Sequence, residues 1–120
     1  MKIEIVKILD RAVANKERLW LKVLADTDLQ YFIVFDTTYT SETTISNLQR
    51  HAYWFKAKQV KAGDYVVLYT KPGTPSQQTN QNGTTTHFLY WGIENTIWNN
   101  TGDCAVLLEV NSWQTSKQGG

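Results

Sequence analysis

Apolar residues along this chain recur at every second position in short runs rich in Val, Ile, Tyr, Phe and Thr. No window holds the roughly 3.6-residue period of an amphipathic helix. The first run, KIEIVKIL, predicts a strand with Ile3, Ile5 and Ile8 inward. RLWLKVLAD predicts a second, with Leu19, Leu21 and Val23 set against Arg18, Trp20, Lys22 and Leu24, and DRAVANKE is the turn between the two. Ala25 to Gln30 bends the chain ahead of LQYFIVFD. From Thr37 to His51 the sequence is polar, and its Ser and Thr side chains compete with a regular ladder by bonding to nearby backbone, so it predicts a loop with room for a short edge strand. AYWF predicts a compact aromatic strand, and VKAGDYVVLYT a turn at Gly63 followed by alternation. Lys71 to Thr86 holds both prolines and nothing apolar, which predicts an exposed and mobile loop. HFLYWGI and CAVLLEV are the last two predicted strands, and SWQTSKQGG is a fraying tail.

About seven to nine short strands separated by turn signals predict an all-β domain, a β-sandwich or a small barrel. Antiparallel pairing is expected, because no helix is available to return a parallel strand. Sheets of this kind pack about 10 Å apart, and Trp91 and Trp98 are expected to fill much of the layer between them. Trp98 stands just ahead of NNTGD. There Gly102 suits a positive φ and Asp103 can bond neighbouring amides, so the turn sets the register of the strand after it. A slip of one residue is expected to rotate Val106 and Leu108 out of the core. No repeat or boundary divides the chain, so residues 1–114 read as one domain and 115–120 as a flexible tail.

Composition narrows the partners more than the fold. With 120 residues the chain can bury roughly two-thirds of its unfolded surface. Twelve Lys and Arg against 11 Asp and Glu give a net charge of +1, which argues against a polyanion as obligatory partner but leaves a local patch open. Cys104 is the one cysteine, so no internal disulfide can form. Glu4, Lys7 and Asp10 interrupt the apolar residues of the N-terminus, and no run reaches transmembrane length, so the chain is expected to be soluble and cytoplasmic. The Asn82 and Asn99 sequons are read as chance.

Two segments carry a family resemblance. YWFKAKQVKAGDYVVLY, Tyr53 to Tyr69, joins an aromatic pair, a basic spacer, Lys-Ala-Gly and an alternating strand. FLYWGIENTIWNNTGDCAVLLEV, Phe88 to Val110, joins Trp, Asn-Thr, Trp, a Gly-containing turn and an apolar strand. Their order and spacing resemble the lamin tail domain, as a bacterial-type stand-alone relative. The first half of the chain matches only as generic strands. The resemblance implies an immunoglobulin-like β-sandwich, a non-enzymatic interaction role and no catalytic residues. No coiled-coil rod, prenylation box or nuclear localisation run accompanies it, so the nuclear-filament role is not expected to transfer.

The candidate chemistry is sparse. His51 and His87 show no ligand spacing with Asp36, Glu42 or Asp64, so no metal or cofactor is expected. Cys104 reads as a small buried hydrophobe, and Asp103 as a turn residue rather than an acid paired with Glu109. No phosphate loop, nucleophile elbow or paired-carboxylate motif is visible, and an enzyme is not expected. RHAYWFKAKQVK gathers Arg50, His51, Lys56, Lys58 and Lys61 around three aromatics, a pattern that can hold single-stranded nucleic acid. Lysines beside a core-facing strand also guard edges, and that reading competes. Trp20 and Trp113 are candidates for stacking a sugar. The leading expectation is a protein-interaction module that meets another protein or a second copy through Thr37–His51, Lys71–Thr86 or a sheet edge. A nucleic-acid accessory domain comes second and a carbohydrate-binding sandwich third.

Overall fold

Alternation of large apolar and polar side chains builds the first part of the fold as expected. The computed structural model describes residues 1–38, 41, 44, 50–99 and 102–116. Among these residues are ten strands and one 3-10 turn: β1 (Ile3–Leu9), β2 (Arg18–Val23), β3 (Thr27–Asp28), the 3-10 turn Leu29–Tyr31, β4 (Phe32–Thr38), β5 (Ala52–Trp54), β6 (Gln59–Val60), β7 (Tyr65–Tyr69), β8 (Ser76–Thr79), β9 (Thr85–Tyr90) and β10 (Asp103–Glu109). They form a five-stranded sheet ordered β1-β2-β7-β9-β8, a three-stranded sheet ordered β10-β4-β5, and the short pair β3-β6. Leu19, Leu21, Val23, Val66 and Leu68 of the large sheet share one buried cluster with Phe32, Val34 and Leu107 of the small one. The chain is therefore an all-β sandwich. No helix among the described residues is long and apolar enough to cross a membrane.

Several strands differ in detail from the reading above. On β1, Ile3 is buried and Ile8 half-buried, but Ile5 is 39% exposed. β1 is an outer strand, and its register with β2 shifts between Ile5 and Lys7, so its middle lacks cover. β7 does not alternate, because Val66, Val67 and Leu68 are all buried. It is the central strand, and on its outward side Val67 lies in register between Trp20 and Phe88. On β10 the inward side is opposite to the expected one. Leu107 pairs with buried Val34 and joins the core, whereas Leu108 is 39% exposed. CAVLLEV is apolar on both faces, so its composition does not mark the inner one.

One pairing departs from the antiparallel expectation: β7 and β9 run parallel. The return is made by β8, which runs antiparallel along the outer edge of β9. An edge strand thus does the work of a crossover helix. The supposed loop Lys71–Thr86 is corrected accordingly, since Ser76–Thr79 is a strand and Thr85 already belongs to β9. All four β8 side chains are exposed and polar, so no apolar period betrays it. The tip between β8 and β9 uses Gly83 at φ +85°, and the Asn82 carboxamide oxygen accepts from the Thr84 amide.

Trp98 is fully buried, and what fixes it is a carboxylate. The amides of Ile97 and Trp98 donate to Glu17, each at 3.0 Å. Glu17, itself 2% exposed, also accepts from Thr70 Oγ1 at 2.7 Å and from the Ala12 amide at 3.0 Å. On the far side of the bend, Asp103 is buried and accepts from the Asn99 amide at 2.9 Å. Half-buried Gly102 leads directly into β10, while Asn100 and Thr101 lie outside the described residues. So do most of Thr37–His51 (39–40, 42–43 and 45–49) and the end of the tail, 117–120.

Candidate functional site

Tyr53 sits on β5 opposite Val34, with its side turned toward the large sheet. Its ring meets Phe55 edge-on at 4.9 Å and Trp91 at 5.6 Å, and Trp91 meets buried Trp98 at 6.3 Å. These rings lead from the core out to the surface. Trp91 follows β9 directly and is held by its amide, which donates to the Tyr69 carbonyl at 2.8 Å. Tyr90 stacks on Tyr69 at 5.4 Å and 13°, and a Cβ at Gly73 would lie 2.4 Å from the Tyr90 ring. Only glycine lets the chain pass over that ring.

Beside these side chains lies a cleft of about 470 Å³, lined by Leu29, Tyr53, Lys56, Lys58, Tyr90 and Trp91 among others. That volume falls in the usual range for small-ligand sites, about 300–1,000 Å³. Lys56 is exposed and Lys58 half-buried, with the Lys58 ammonium donating to Gln77 Oε1 at 3.2 Å. Among the described residues no carboxylate lines the cleft. Burial pushes the Tyr53 phenol above its ordinary value, so at neutral pH it presents an O–H. Aromatic walls under two cations suit a ligand with an apolar or planar body and a negative group.

Of the five basic residues read as one patch, the structure brings Lys56 and Lys58 to this cleft and engages the other three elsewhere. Arg50 lies 3.4 Å from Asp103 Oδ1. His51 gives its amide to Asp36 Oδ1 at 2.7 Å and has Nδ1 3.1 Å from the same oxygen. Lys61 is exposed at the Gly63 turn, its amide donating to Asp64. Gly63 itself has φ +94° and donates its amide to the Val23 carbonyl.

The other candidates resolve into structural roles. His87 Nε2 is 3.0 Å from Asp64 Oδ2, and both residues are buried. Burial works against the Asp64 carboxylate, but hydrogen bonds from His87, Thr85 and Lys61 outweigh it and hold the carboxyl below its usual value. Cys104 is buried, and desolvation with Asp103 nearby pushes its thiol up, away from nucleophilic form. No group of three or more His, Cys, Asp or Glu suited to a metal occurs among the described residues. Glu42 lies outside them. Trp113 is 44% exposed, as expected, with its ring at 84° to Trp54 at 5.1 Å and tilted against Tyr31 at 6.0 Å. Sequence reasoning missed Leu29 and Tyr90 as cleft walls, and Glu17 as the anchor of Trp98. A buried carboxylate inside a polar turn leaves no periodic signal.

No family model, no curated protein and no solved structure matches the chain.

Proposed function

We propose that the chain is a non-enzymatic interaction module, an immunoglobulin-like sandwich of lamin-tail type. In this reading its cleft takes a short acidic and apolar segment of a partner protein, with the cytoplasm as the expected compartment. The observation that carries it is the make-up of the cleft: rings of Tyr53, Tyr90 and Trp91 below, Lys56 and Lys58 at the rim, and no carboxylate. An apolar side chain entering there gains about 25 cal/mol per Å² removed from water. The lysines then select the sign of the neighbouring group and speed encounter.

Single-stranded nucleic acid is the second reading, since the same rings could stack bases. It ranks lower because Arg50 and His51 are held by carboxylates and the net charge of +1 gives little counterion release. A photo-cross-linking amino acid in place of Ala57, an exposed part of the cleft lining, tests both. In native lysate it is expected to capture one discrete protein, and Lys56→Glu with Lys58→Glu is expected to abolish capture. Equal capture by the charge-reversed variant rejects the reading. Capture of a labelled oligothymidylate at low salt, lost in that variant, transfers it to nucleic acid.

A further inference from the structure

The outward face of the large sheet carries a second concavity, chemically unlike the cleft. Trp20 on β2, Tyr65 on β7, Thr86 on β9 and Gln78 on β8 all lie on this face, with Tyr65, Thr86 and Gln78 side by side in register. The β8–β9 tip borders them and completes an open depression of about 550 Å³. Two of its nine lining side chains are the rings of Trp20 and Tyr65, and the other seven are all carboxamides or hydroxyls. None is charged at neutral pH.

Part of this polar wall is fixed in advance. Asn80 accepts from Thr86 Oγ1 at 3.1 Å and donates to Thr84 Oγ1 at 3.1 Å, while Thr84 Oγ1 donates to Asn82 at 2.6 Å. The carboxamides of Gln78 and Gln81 make no hydrogen bond among the described residues and remain available to a ligand. The rings stand edge to face at 5.6 Å and 66°. The indole N–H of Trp20 is buried and has no partner among the described residues.

This lining discriminates between ligand classes. The lining itself offers an ion no counter-charge, and beside it the Lys22 ammonium already lies over the Tyr65 ring, 6.0 Å from its centroid. A purely apolar molecule would strip water from the unbonded Gln78 and Gln81 carboxamides and return no hydrogen bonds, each loss costing on the order of 1 kcal/mol or more. A pyranose ring fits both halves, with a C–H face to lie on an aromatic ring and hydroxyls that donate and accept, as carboxamides do. We infer that the depression is a binding site for a neutral saccharide, one ring stacked on the Trp20–Tyr65 pair and its hydroxyls held by Gln78 and Gln81. The inference does not rest on the cleft, with which the depression shares no lining residue.

Titrating the full ¹⁵N-labelled chain with cellohexaose, chitohexaose, mannohexaose and maltohexaose tests it, with a heparin hexasaccharide as the charged control. Among the indole signals of the five Trp residues, that of Trp20, assigned with Trp20→Phe, is the reporter. At least one neutral probe is expected to shift it saturably together with the Gln78 and Thr86 amides, in roughly the millimolar range set by an open site with few contacts. Gln78→Ala, on an exposed edge residue that does not endanger folding, is expected to weaken binding about tenfold, while Lys56→Glu with Lys58→Glu leaves it unchanged. Silence of the Trp20 signal toward all four neutral probes at about 20 mM overturns the site. So does unaltered binding by Gln78→Ala, or a response to the heparin fragment alone.

Discussion

At Asp64 three segments of the chain converge on one carboxyl. The amide of Lys61, the amide of Thr85 and the ring of His87 all approach it within 3.1 Å. Because these bonds favour the ionised form, the folded carboxyl titrates below the ordinary value of 3.8. Its contribution is therefore complete above that value and is lost as pH falls through the lower, folded one. Asp64→Asn is expected to lose about 1–2 kcal/mol at pH 6, with the deficit shrinking toward pH 2 as the native carboxyl itself protonates. Urea unfolding at the two pH values measures this, and a constant deficit contradicts it. Residues of this kind were the least legible in the sequence. Glu17, Asp64 and Asp103 are buried although each stands in a stretch that reads as a turn, and Asp36 is buried at the polar end of LQYFIVFD. The Thr70, Ile97 and Trp98 partners of Glu17 and the Thr85 and His87 partners of Asp64 come from far along the chain, so neither period nor spacing records them. The Asp103 bond to the nearby Asn99 amide, by contrast, is the turn contact expected. Leu19, Leu21 and Val23 were legible because their burial follows from strand alternation alone.

Elements were legible where one face is clearly apolar. β2, β4 and the Tyr53/Phe55 side of β5 fall where expected, since a single parity carries the large side chains. β10 reads ambiguously because both parities are apolar, and the partner strand β4 decides which is buried. β8 was invisible for the opposite reason: Ser76–Thr79 buries no side chain, and only hydrogen bonds to β9 hold it. The Gly63 turn was read correctly, and the structure adds why it must be glycine. Its φ of +94° disfavours any side chain, and a Cβ there would meet Thr84 Cγ2 at 3.0 Å. Gly63→Ala is expected to cost about 1–2 kcal/mol or slightly more, through both terms. Thermal unfolding reads this directly, and an unchanged midpoint means that neither term operates.

Across the whole molecule, Glu17 ties three distant segments together. Its carboxylate joins the β1–β2 turn at Ala12, the end of β7 at Thr70 and the segment ahead of β10 at Ile97 and Trp98. Glu17→Ala strands the buried amides of Ile97 and Trp98 and the buried hydroxyl of Thr70, and is expected to cost about 3 kcal/mol. Access of acrylamide to Trp98, followed by fluorescence, should rise in parallel. Lost stability without quenching would mean that the indole is held by packing alone. The cleft and the outward depression are joined in a comparable way by β8. Gln77 turns toward the ammonium of Lys58 and the cleft, and its neighbour Gln78 turns to the outward depression. Point substitutions can therefore reshape either recognition surface without touching the other. Insertions and deletions cannot, because gaining or losing one residue in that ribbon exchanges every side chain between them. Divergence of this protein should accordingly proceed by replacement within β8 and leave its length alone.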